Sequence, residues 1–175
     1  GMYTVNTASA GSLSGHNTAY VSQDDWTNFQ VYAIRDSLGS KNVRFMLTSD
    51  RSPYPIPEIT SSTFLDVYDD NRWNLSVRVK SKNYPLGGIV SGSGPPSFDG
   101  QPFEVIFRGV NTVLGTVVDQ FELTSALSYT TASYFLGSTK RLYCGAKRFN
   151  ITSSIQHPAD TYISDLKYWI SIYMI

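Results

Sequence analysis

The feature of this sequence that most restricts its fold is a period-two alternation of apolar and polar residues, repeated in separate runs. In "WNLSVRVK" at 73–80, Trp73 and Val77 share one face, while polar and charged residues share the other. "FEVIFRGV" at 103–110 and "VRFMLT" at 43–48 repeat the pattern. Because successive side chains of a strand point to opposite faces, each run predicts a strand with one buried face.

Weaker runs extend this prediction along the rest of the chain. They predict strands at 29–35, 121–124, 142–146 and 163–169. Few windows show the three- and four-residue apolar spacing of a helix. About ten strands separated by turns are typical of a sandwich. We therefore predict an all-β fold, an antiparallel sandwich of two sheets packed face to face.

Two segments rich in turn-forming residues bear on domain organisation. "PYPIPEITSSTF" carries three prolines, which block regular helix and central strand alike. It predicts an extended surface segment that leads into a strand near Phe64–Tyr68. "YPLGGIVSGSGPPSFDG" at 84–100 joins two of the clearest strands, so we interpret it as a long hairpin loop. The prediction is a single domain, 1–175. Gly1 directly before Met2 indicates a cloning remnant, so we expect the domain to belong to a larger protein.

Composition and charge exclude several function classes. Charged residues make up 16% of the chain, against about 25% in an average globular protein. The formal net charge is zero and no stretch concentrates Lys or Arg, so we predict no nucleic-acid partner. No window reaches the roughly 18 apolar residues of a membrane helix, so we predict no membrane insertion. Cys144 is the single cysteine, which rules out an intrachain disulfide.

Three segments together resemble a known superfamily. They are "DDNRWNLSVRVK" at 69–80, "RLYCGAKRFN" at 141–150 and "ISDLKYW" at 163–169. In their order they resemble the concanavalin A-like, laminin G-like jelly-roll superfamily, over about residues 20–173. In that superfamily a turn and a Trp open a central strand, a Gly-Ala strand follows later, and a closing strand comes last. The segments "YCGAKRFNIT" and "ISDLKYWIS" are most similar to versions of this domain in virion structural proteins of phages and other viruses. The resemblance implies a jelly roll, a closing strand beside the N-terminal one, and a virion or extracellular, cell-surface location.

Catalysis is disfavoured by the positions of the acids and nucleophiles. Glycosidases of this superfamily carry two or three carboxylates at alternate positions of one strand. The only glutamates, Glu58, Glu104 and Glu122, have no carboxylate two residues away. Cys144 lies on an apolar run, where cysteine usually packs as a small hydrophobe. His157 could lie near Cys144 in space, but the sequence indicates no third residue for a catalytic group. We predict that the chain is not an enzyme.

Only the resemblance to the superfamily supports a metal site. No Cys and His spacing suits zinc, and we predict no cofactor. Laminin G-like domains often bind calcium through loop carboxylates and carbonyls, for which Asp69, Asp70 and Asp99 are the candidates. Calcium needs about six to eight oxygens, and solvated turn acids are the alternative interpretation.

A binding site for sugar is the second open prediction. Sandwich lectins stack sugar rings on exposed loop aromatics beside polar side chains. Trp26, Tyr54, Tyr84 and Asp99 are the ligand-binding candidates, although loop tyrosines also commonly cap a core. Two functions therefore stay open: a non-catalytic structural or interaction module that binds protein subunits and is compatible with self-association, and a lectin-like domain that binds cell-surface glycans. The apolar terminus "WISIYMI" favours the first, because it needs a partner to cover it.

Overall fold

The computed structural model describes residues 3–8, 27–49, 55–69, 71–82, 102–137, 139–145 and 162–168. These residues form eight strands and one helix. In chain order they are β1 (Tyr3–Ala8), β2 (Thr27–Arg35), β3 (Val43–Thr48), β4 (Ile59–Phe64), β5 (Trp73–Ser81), β6 (Phe103–Val113), β7 (Thr116–Leu127), α1 (Tyr129–Gly137) and β8 (Thr139–Cys144).

The strands form two sheets in which every described pairing is antiparallel. Five strands lie in the order β4-β3-β2-β1-β8, and three lie in the order β5-β6-β7. The chain passes from the first sheet to the second between β4 and β5, and it returns through α1 to β8. The predicted all-β, two-sheet architecture is therefore present in the described part of the chain.

The inner faces of the two sheets form one hydrophobic core, as the alternation predicts. Val43, Phe45 and Leu47 of β3 are buried, and so are Val105 and Phe107 of β6. The apolar side chains of β5 are partly buried against the same cluster, while its intervening polar residues are mostly exposed. Each fully buried side chain of this kind contributes roughly 1.5–3 kcal/mol.

Aromatic rings join the two sheets at the centre of this core. The Phe45 ring centroid lies 4.8 Å from that of Trp73 and 5.6 Å from that of Phe121. The Phe64 ring lies 4.7 Å from Trp73, and the Phe107 ring meets Phe121 edge-on at 5.0 Å. Such ring pairs contribute about 0.5–1.5 kcal/mol beyond the burial of their area. These five rings hold the end of β4 against the start of β5.

The helix α1 was not predicted, although Tyr129, Ala132 and Leu136 are spaced by three and four residues, because the segment has only nine residues and is too short for the pattern to stand out. Its start is nevertheless encoded locally. The Ser128 hydroxyl accepts a hydrogen bond from the Thr131 backbone N–H at 3.1 Å, which is the N-cap arrangement. Ala132 and Phe135 are buried, and Phe135 belongs to the common core.

The strand predicted near Phe64–Tyr68 is wrong. The strand β4 ends at Phe64, and residues 65–69 form turns. The strand β4 lies instead inside the proline-rich segment 53–64, which the sequence predicted to be extended surface chain. Ile59 pairs with Leu47 of β3 and is buried, and Ile56, just before the strand, is buried in the same core.

The predicted closing strand at 163–169 is also wrong where the structure describes it. Residues 162–168 have no regular secondary structure and are exposed, and Trp169 lies outside the described residues. The alternation in this segment is real, but a strand needs a partner as well as a pattern. The described neighbours of the N-terminal strand β1 are β2 and β8, and β1 itself was not predicted.

Candidate interaction surface

The ligand-binding residues proposed from the sequence lie outside the described residues. This applies to Trp26, Tyr54, Tyr84 and Asp99 alike. Glycan binding through these side chains therefore stays a prediction.

The glutamates of the three-stranded sheet are engaged with basic neighbours across the strands. Lys80 Nζ lies 3.0 Å from Glu104 Oε1, and Arg108 Nε lies 3.9 Å from Glu122 Oε2. Glu122 pairs with Arg108, which is four residues along β6 from Glu104. At about 3.3 Å per residue, Glu104 and Arg108 are roughly 13 Å apart along β6, and the backbone positions of Glu104 and Glu122 are at least as far apart. Glycosidases need their acids within about 5–9.5 Å, so this pair does not fit that chemistry.

The interpretation of Cys144 as a buried hydrophobe is wrong. Cys144 is the last residue of β8, and its side chain is exposed. Partial desolvation by its surroundings still raises the pKa of the thiol above its ordinary value. A raised pKa lowers the thiolate fraction at neutral pH, which is the opposite of what an activated nucleophile requires.

The calcium candidates are only partly described. The Asp69 carboxylate lies 2.8 Å from Lys41 Nζ, so its charge is already met by a cation, and Asp70 and Asp99 lie outside the described residues. Within the ranges that the structure describes, no group of three His, Cys, Asp or Glu could hold a metal ion.

A different surface is formed where three connections meet at one end of the sandwich. The β2–β3 connection (36–42) and the β4–β5 connection are joined, since Tyr68 N–H donates to Lys41 O at 3.1 Å. The hairpin between β6 and β7 lies at the same end, because Trp73 at the start of β5 pairs with Asn111 near the end of β6. We call this surface, residues 36–42, 65–69, 71–72 and 113–119, the loop end.

The loop end exposes large aliphatic side chains from all three connections. Leu38 and Leu114 are completely exposed, at 105% and 101% of their reference area, and Leu65 is 71% exposed. Val113, Val117 and Val118 add 46%, 50% and 51%. Single exposed hydrophobic residues are ordinary, so these six bear on function only because they lie on connections at the same end of the sandwich.

The hairpin tip is built so that its apolar residues point outward. Val113 pairs with Thr116, which leaves Leu114 and Gly115 as a two-residue turn, and both have positive φ, 50° and 81°. The register also shifts beyond Asn111, so that Val118 is an extra residue on β7. A bulge of this kind bends the strand and re-aims its side chains. It leaves the neighbours Val117 and Val118 both exposed.

Leu114 is held in a conformation that its residue type disfavours. A two-residue turn with positive φ at both positions strongly prefers Asn-Gly or Asp-Gly. Among the described residues, the other non-glycine residue with positive φ is Asp66, a type that tolerates this region. Its N–H donates to Asn42 Oδ1 at 3.3 Å, and its carbonyl accepts from Asn71 Nδ2 at 2.7 Å. Leu114 has no polar group with which to offset its strain.

The charges around the leucines are mixed, with an excess of acids. Asp36, Asp66, Asp69 and Asp119 belong to the loop end, against Lys41 and Arg72. Anionic lipids attract clusters of basic residues, and this surface carries no such cluster. No helix in the described part of the chain is long and apolar enough to cross a membrane.

Sequence reasoning missed the loop end, although one signal was available. "NTVLGTVV" places Leu where a hairpin turn calls for Asn or Asp, between apolar residues on both sides.

Comparisons of the chain with protein-family models, with curated proteins and with solved structures find no match.

Proposed function

We propose that this chain is a non-catalytic structural and interaction module that binds protein subunits through the loop end. One observation carries the proposal: Leu114 is fully exposed on a backbone with positive φ. Holding such a residue there costs about 1–2 kcal/mol. Within the described residues the Leu114 side chain packs against nothing, whereas burying it against a partner would contribute roughly 1.5–3 kcal/mol.

The chemistry of the loop end favours a protein partner over a sugar. Its exposed apolar side chains are aliphatic, and sugar rings stack on aromatic faces. Its partly buried Tyr68 has the Arg35 guanidinium 3.7 Å from the ring centroid, so one ring face is already occupied. Lectin-like glycan binding by Trp26, Tyr54, Tyr84 and Asp99 remains the second candidate, supported by the sequence resemblance.

The finer fold and the location are parts of the same proposal. Two antiparallel sheets around a common core suit a jelly roll of the concanavalin A-like type. A place in a virion or surface protein rests on the resemblance of "YCGAKRFNIT" and "ISDLKYWIS" to virion structural proteins. Neither an enzyme activity nor a cofactor is part of the proposal.

The test compares the wild-type chain with Leu114→Asn in two binding assays. Each is immobilised and exposed to proteins of the source organism, and every retained protein is then purified and measured against both by calorimetry. We expect a protein, or the chain itself, to bind the wild type at least tenfold more tightly than Leu114→Asn. In parallel, both are applied to a broad glycan array. Glycan binding that is equal for the two, together with no Leu114-dependent protein binding, would refute the proposal and favour the lectin-like alternative.

A further inference from the structure

We draw no further inference here: the strongest candidate, the group of exposed leucines and valines at the loop end, belongs to the surface already described, and nothing in the structure shows which partner covers it.

Discussion

Gly109 shows how one residue type can be required by packing alone. It lies on β6 between Leu75 and Phe121, its neighbours across the two adjacent strands. A Cβ at this position would lie 2.3 Å from Phe121 Cε1 and 3.0 Å from Leu75 Cδ2. The Phe121 ring has little freedom to move, because Phe45 and Phe107 contact it from other directions. The glycine therefore makes room for a ring of the central aromatic cluster.

We predict that Gly109→Ala lowers the free energy of unfolding by about 1–3 kcal/mol, the range for overpacking a filled core. Urea denaturation followed by tryptophan fluorescence measures this. The control is the same change in a Phe121→Ala background, where the added methyl group has space. An equal cost in both backgrounds would show that the ring is not the cause.

Cys144 gives a prediction for pH dependence at the same scale. Partial desolvation raises the pKa of its thiol, so the folded chain holds the proton more tightly than the unfolded chain. The corresponding stability is present below the pKa of the unfolded thiol and is lost as the pH rises through that of the folded one. We expect the midpoint of its reaction with iodoacetamide to lie above the ordinary value of about 8.5 and to return there in urea. A midpoint at or below the ordinary value in the folded chain would contradict the desolvation.

At the scale of the element, the start of α1 is fixed by a few local hydrogen bonds. The Ser128 hydroxyl caps the Thr131 N–H at 3.1 Å, and the Ser128 carbonyl accepts from Ala132 N–H at 3.0 Å. The helix has nine residues and little intrinsic stability in isolation. It forms because the cap starts it and because Ala132 and Phe135 are buried on the core.

We predict that Ser128→Ala lowers the free energy of unfolding by about 1 kcal/mol, the usual value of an N-cap side chain. Chemical denaturation followed by far-UV circular dichroism gives the measurement. Thr130→Ala, an exposed change in the first turn that leaves the cap intact, should stay within about 0.5 kcal/mol of the wild type. The cap has no such role if the two variants unfold alike.

At the scale of the whole molecule, the aromatic cluster couples the two sheets. Phe45 is 1% exposed on the five-stranded sheet, and its ring contacts Trp73 and Phe121 of the three-stranded sheet. Neither sheet can leave the other without exposing these rings. The described core should therefore unfold as one cooperative unit.

We predict that Phe45→Ala costs about 3–5 kcal/mol, a large part of the 5–15 kcal/mol that usually separates folded from unfolded domains. Near-UV and far-UV circular dichroism should report the same transition in the wild type. Leu38→Ala is the control, because a fully exposed leucine should change stability by less than about 0.5 kcal/mol. Separate transitions for the two signals would mean that the sheets unfold independently.

Prediction from sequence succeeded for strands with regular alternation, missed the local N-cap signal of α1, and failed where no neighbouring strand pairs with the pattern. The strands β3, β5 and β6 were recognised because the apolar residues recur at every second position. Residues 163–168 carry the same pattern without forming a strand, since no strand pairs with them in the described part of the chain. The candidate site was not anticipated, because the exposure of Leu38, Leu65 and Leu114 depends on how three connections far apart in sequence are brought together.

The sequence by itself determined which faces of the strands are apolar, because alternation follows from the geometry of the extended backbone and requires no other part of the chain. It also determined the zero net charge and the absence of any intrachain disulfide. Only the tertiary structure decided which strands pair, that Phe121 lies over Gly109, and that the leucines of the loop end stay outside the core. These depend on contacts between residues distant in sequence, and the free energy of such contacts is set only once the chain has folded.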